Sequence, residues 1–232
     1  MSGMITHLAI ANRIINLLPD ETIVNRNLYY LGSIAPDAIH SREGYTRKDK
    51  KQSHLRDDIT DMEFEKEENL SLFHHRVSNF INENLNKNDK LIDLYRGYVV
   101  HLLSDELFLL KIRSDFVIKM NKLGIEPTNI LFRDKIIYDL DCHDFKLIDD
   151  IKELKGICEI LKDMECYSVD GYVKDMEMKL NMNWLIEKYF NNEHEIMEPV
   201  YIPYNKVKSY IDEASIDIIN RLSSGEVFPK IF

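Results

Sequence analysis

The sequence predicts an all-α fold, and three observations carry that expectation. Only eight Gly and six Pro punctuate 232 residues. The segments between them repeat apolar residues at intervals of three and four, the period of a helix. No alternating strand pattern or hairpin turn signal stands out. With 44% hydrophobic residues, a chain of this length can bury a substantial core as one multi-helical domain over residues 1–232.

Residues 5–18 place Ile5, Leu8, Ala11, Ile14, Ile15 and Leu18 at helical spacing, with Thr6 as a candidate N-cap and Pro19 beyond the end. A second short helix fits residues 20–31, ending at Gly32. Residues 33–65 break the pattern at Ala35-Pro36-Asp37 and continue as a long polar connection, the kind that is usually functional or disordered. It carries the basic run 47–51, expected as a solvated loop, and two ligand candidates, Asp37 and His54.

Residues 67–85 form an amphipathic helix through Leu70, Phe73, Val77, Phe80, Ile81 and Leu85. At most one of His74 and His75 can face inward there. Asn88-Asp89 can cap a long apolar helix over residues 90–113. Further helices fit residues 128–138, 145–162, 172–190 and 204–222, and the prolines of 199–203 make that stretch extended. His194, between two glutamates, reads as a surface residue.

The chemistry concentrates in the helix over 90–113. His101 and Asp105 stand one turn apart on a single face, a spacing from which an imidazole and a carboxylate reach one metal ion. A core histidine bonded to a neighbouring carboxylate would look the same. Gly97, one turn earlier on that face, costs helix stability and implies the close approach of another group. His7 in the first helix joins Asp37, His54, His101 and Asp105 as candidates, and His40 lies close enough to Asp37 to orient it.

Four separated segments then resemble one family. Thr6-His-Leu-Ala-Ile-Ala11, Tyr30-Leu-Gly-Ser-Ile-Ala-Pro-Asp-Ala38, Ser53-His54 and Gly97-Tyr-Val-Val-His-Leu-Leu-Ser-Asp-Glu106 look like the zinc-dependent phospholipase C family, whose fold is shared with P1-type nucleases. The resemblance is strongest over residues 4–110. It implies a metal-dependent hydrolase in which metal-bound water attacks a phosphoester, a phospholipid head group or another small substrate. It further implies that Asp37, His54, His101 and Asp105 hold one Zn2+, that His7 with a bridging Asp105 holds a second, and that Asp37 can take the proton of the attacking water. Secreted members use their terminal amine as a ligand well upstream of the first His, whereas six residues precede His7 here. Leu109 and Lys111 stand where the family has further His ligands, and its His-x-x-x-Glu pair is read as missing. A reduced site of one or two ions is therefore expected, with other divalent metals also compatible.

Two other readings fit the residues. A degenerate, non-catalytic member would keep a structural metal, and a purely helical interaction domain would keep none. Cys142-His143-Asp144 carries the adjacent pair of HD phosphohydrolases, although at a polar helix start Asp144 would cap and His143 would be solvated.

A formal charge of −10 argues against long nucleic acids and anionic bilayers as partners. The three cysteines form no CxxC pattern and read as free thiols. No run reaches the length and apolarity of a membrane span, and the N-terminus has no secretory pattern, so a cytoplasmic protein is expected.

Overall fold

The computed structural model describes residues 2–85, 89–191, 195 and 197–232. Among these the chain is helical and forms no strand. One isolated bridge, Val169 to Val173, closes a turn at Asp170-Gly171, where Gly171 takes φ +81°. That small hairpin-like turn was not singled out in the sequence.

Helix α1 (Met4–Leu17) buries nearly every residue of its first three turns. It is not capped by Thr6. The Asp144 carboxylate, far along the chain, accepts from the backbone N–H of Ile5 and Thr6 and from the Thr6 hydroxyl, at 2.9–3.1 Å. This satisfies donors that a helix start leaves open and sets a negative charge at the positive end of its dipole. The approach requires Gly3, because a Cβ there would lie 2.3 Å from the Asp144 oxygens. Burial pushes the Asp144 pKa up to about 6, against these hydrogen bonds.

Helix α2 (Arg26–Ile34) starts later than expected, capped by Asn25 through Leu28 N–H, and passes through Gly32 without stopping. A 3-10 turn, Ala35–Ser41, follows and carries Pro36-Asp37. Helix α3 (Arg47–Ser53) then forms from a capping box between Thr46 and Asp49. The polar connection is thus largely ordered, and its basic run is a helix rather than a loop. Lys50 in that run is buried.

Helix α4 (Glu67–Asn84) packs beside α5 (Ile92–Phe108), which is buried on almost every side. A 3-10 turn, Asp89–Leu91, leads into α5, and Leu91 at its boundary carries no side-chain cap; Asn88 lies outside the described residues. The axis runs on through a π turn, Leu109–Arg113, into α6 (Ser114–Lys122). Where two helices were expected over 128–138 and 145–162, the boundary shifts: α7 (Ile130–Asp150) is continuous and α8 (Glu153–Lys162) is separate. Helix α9 (Asp175–Ile186) and the long α10 (Tyr204–Ser224) complete the order.

The contact that positions the site is between α2 and α5. A Cβ on Gly32 would lie 2.0 Å from the Leu94 carbonyl oxygen, and one on Gly97 would lie 2.1 Å from the Tyr29 carbonyl oxygen. The two helices therefore meet backbone to backbone, which is the close approach that Gly97 foretold. No helix among the described residues is long and apolar enough to cross a membrane.

Gly97→Ala is expected to lower folding stability by about 3 kcal/mol, the upper part of the overpacking range. A chemical-denaturation midpoint compared with Gly156→Ala, where a Cβ meets nothing within 4 Å, checks this.

Candidate metal centre

The five ligand candidates come together and all are buried. Helix α5 supplies His101 and Asp105, α1 supplies His7, the 3-10 turn after α2 supplies Asp37, and His54 ends α3. Two groups of donor atoms lie within 4.8 Å of one another: His7, His101 and Asp105, and Asp37, His54 and His101. The His7 and His101 rings stack at 3.7 Å. His54 Nε2 is 3.4 Å from Asp37 Oδ1 and 3.6 Å from Asp105 Oδ2, so it joins the two carboxylates.

Hydrogen bonds behind each ring decide which nitrogen faces inward. His101 Nδ1 lies 2.8 Å from the Ser33 carbonyl oxygen, and His54 Nδ1 lies 2.9 Å from that of Lys50. A carbonyl only accepts, so both Nδ1 atoms carry protons. The Ser104 hydroxyl donates to the His101 carbonyl and accepts from His7 Nδ1 at 2.8 Å. In a neutral His7 this leaves Nε2 as a lone pair, facing the Ser2 hydroxyl at 2.9 Å and Asp105 Oδ1 at 3.5 Å.

Burial lowers the pKa of His54 and, more strongly, of His101, which keeps both rings neutral. His101 Nε2 and His54 Nε2 nevertheless face each other at 3.3 Å with no proton between them. Two opposed lone pairs flanked by two carboxylates repel in a dry interior. A cation between them reverses the sign of each interaction, so this donor set fits a divalent metal, and neutral imidazole with carboxylate suits zinc.

Burial tends to raise the pKa of Asp37, but the carboxyl lies well below its usual range, with the Lys50 ammonium as the foremost opposing charge. Burial also tends to raise the pKa of Asp105, yet its carboxyl too lies well below the usual carboxylate range. His40 reaches Asp37 only at 4.0 Å and touches Lys50 Nζ at 3.3 Å; burial and the lysine lower its pKa to about 4. Lys50, whose ammonium is 2.8 Å from Asp37 Oδ1, is the site residue that sequence reasoning missed. Its run read only as charge, although the Thr46-x-x-Asp49 capping box placed it on a helix.

The remaining histidines stand apart. His74 is half-buried and bonds the Glu106 carboxylate at 2.8 Å, while His75 is exposed. His143 and Asp144 sit in the middle of α7, both fully buried, not at a polar helix start. They diverge: Asp144 serves α1, and His143 Nε2 donates to the Ile202 carbonyl at 2.7 Å. They form no HD-type metal pair. The sequence does hold one His-x-x-x-Glu spacing, His194 to Glu198, which corrects the reading that the pair is missing. His194 lies outside the described residues, and Glu198 is exposed and paired with Lys146. Leu109 is buried, and Lys111 pairs with Glu213 at 3.0 Å, so neither offers a donor to the centre. All three cysteines are free thiols.

No curated protein and no solved structure matches the chain significantly. One family model does, over residues 6–106, less than half of the chain but a stretch that opens one residue before His7 and closes one residue after Asp105. That model describes the family zinc dependent phospholipase C, and the residues it matches hold all five converging side chains.

Proposed function

We propose that the chain is a metal-dependent phosphoester hydrolase whose substrate is a phospholipid head group or another small phosphodiester. The observation that carries this reading is the pair of inward imidazole lone pairs 3.3 Å apart between two ionised carboxylates. The family match supplies the class of reaction. Asp37, His54, His101 and Asp105 would hold one zinc ion, and His7 with a shared Asp105 would hold a second. Bound zinc supplies Lewis acidity, which lowers the pKa of water to about 7 and neutralises phosphate oxygens.

The chain's own residues do the rest. The carbonyls of Ser33 and Lys50 keep the Nε2 atoms of His101 and His54 turned inward, and Ser104 does the same for His7. Asp37 stays ionised and is the group we assign to take the proton of the attacking water. The surrounding apolar side chains of α1 and α5 exclude bulk water, which strengthens every charge interaction at the centre.

A structural metal in a non-catalytic member is the second reading, favoured by how enclosed the five residues are. A cleft of about 520 Å³ lined by Gln52, Tyr95, Asp170 and Tyr172 contains none of them. Metal content and turnover separate the two readings.

Plasma mass spectrometry of the full chain is expected to find one or two zinc equivalents, sharply reduced in His101→Ala and unchanged in His143→Ala. A wild type that takes up no zinc or manganese removes both readings. Hydrolysis of a chromogenic phosphodiester and of phospholipid head groups is expected to stop on chelation and return with zinc. Asp37→Asn should lower kcat by about 100-fold or more, the size of a lost general base. Full metal content with no hydrolysis of any phosphoester would leave the structural reading standing.

A further inference from the structure

Lys50 is an unusual neighbour for a metal centre. It lies on α3 one turn before His54, and its ammonium makes two recorded contacts, Asp37 Oδ1 at 2.8 Å and His40 Nε2 at 3.3 Å. The third N–H has no recorded acceptor among the described residues. A buried ammonium is costly unless paired, and Asp37 offsets that cost. For holding metal alone, however, the arrangement is unfavourable. A fixed positive charge beside the carboxylate repels a divalent cation, and a neutral donor would have oriented Asp37 equally well.

The ammonium also lies on the less sealed side of the centre. His7, His54, His101 and Asp105 are sealed, with side chains at most 3% exposed. Lys50 is 11% exposed, and His40, which lies against it, is 39% exposed. His40 touches Lys50 at 3.3 Å and approaches Asp37 at 4.0 Å, so the centre is least sealed where these three side chains meet. A cation on that side, beside a carboxylate that would hold metal and with a third N–H to give, suits an anionic ligand.

We propose that Lys50 binds a phosphate oxygen of the substrate and holds it against the metal centre. This rests on the reading of the centre as a metal-dependent phosphoester hydrolase. The ammonium keeps one N–H on Asp37 and gives another to the phosphate, so one side chain ties the proton acceptor to the group under attack. A charge-assisted bond of this kind is about twice as strong as a neutral one, and Arg preserves both its charge and its donors.

The probe is inorganic phosphate, titrated calorimetrically into the zinc-loaded full chain as wild type, Lys50→Met and Lys50→Arg, with zinc content measured on the same samples. Lys50→Met is expected to keep wild-type zinc while its phosphate affinity falls by about tenfold or more, and Lys50→Arg to recover most of the loss. Phosphate affinity within about twofold of wild type in Lys50→Met overturns the proposal. Loss of zinc in Lys50→Met also overturns it, since the lysine is then a counter-ion of Asp37 and no more. Should Lys50→Met fail to fold, phosphate must slow acetylation of Lys50 in the zinc-loaded wild type, read by peptide mass spectrometry; no protection overturns the proposal. A wild type that binds zinc but no phosphate refutes the role of Lys50 alone, whereas one that binds no zinc refutes the metal reading beneath it.

Discussion

The backbone contact between α2 and α5 is the constraint on which the centre depends. Helical glycine costs about 1 kcal/mol against Ala, and this contact uses two, Gly32 and Gly97. In return the α2 backbone lies so close to α5 that the Ser33 carbonyl reaches His101 Nδ1 at 2.8 Å. That bond fixes the ring and turns Nε2 toward His54. The same approach delivers the turn that follows α2, and with it Asp37, to the face of α5 that bears His101 and Asp105. Separating the helices by the width of a methyl group would loosen both a candidate ligand and its orienting bond.

The C-terminal half acts on the centre from behind. Asp144 of α7 closes the N-terminus of α1, which holds His7. The Tyr210 hydroxyl of α10 donates to the Ser104 carbonyl at 2.6 Å, next to Asp105. Arg221, also on α10, bonds the buried Glu106 carboxylate at 2.9 Å, alongside His74. Each of these buried charges is matched, as the low dielectric of the interior demands. Residues 107–232, which lie outside the family match, thus brace the helices that carry the donors.

What could be read from sequence was what lies within one element. His101 and Asp105 share a helix face because 3.6 residues make a turn, and Gly97 marked a close approach because helical glycine is costly. The remaining ligand candidates followed from a resemblance in four segments, and the structure brings the same five residues together. Relations across the chain were not legible. Nothing near Thr6 announces that its cap is Asp144, 138 residues away, and the pairing depends on Gly3 leaving room. The adjacent His143 and Asp144 look like a metal pair only in one dimension, since neighbouring residues on a helix point in different directions. Lys50 was missed because a basic run usually means a solvated surface. A charge count does not show which lysine of a short helix turns inward.

Charge balance explains why such an inward lysine matters. Asp37 and Asp105 bring two negative charges to the centre and Lys50 one positive, with His54 and His101 kept neutral by burial. Those two carboxylates, the two rings and the lysine together are therefore one charge negative. One divalent ion would leave this set one charge positive, and two would leave it strongly positive, among buried side chains with little water to screen it. An enclosed excess of positive charge is itself unstable without an anion. The chain as a whole is acidic, at −10, so its net charge gives an anion no general attraction. A phosphate group held by Lys50, as proposed, would satisfy the balance. A loaded centre without an anion would leave Lys50 and the metal repelling each other across Asp37.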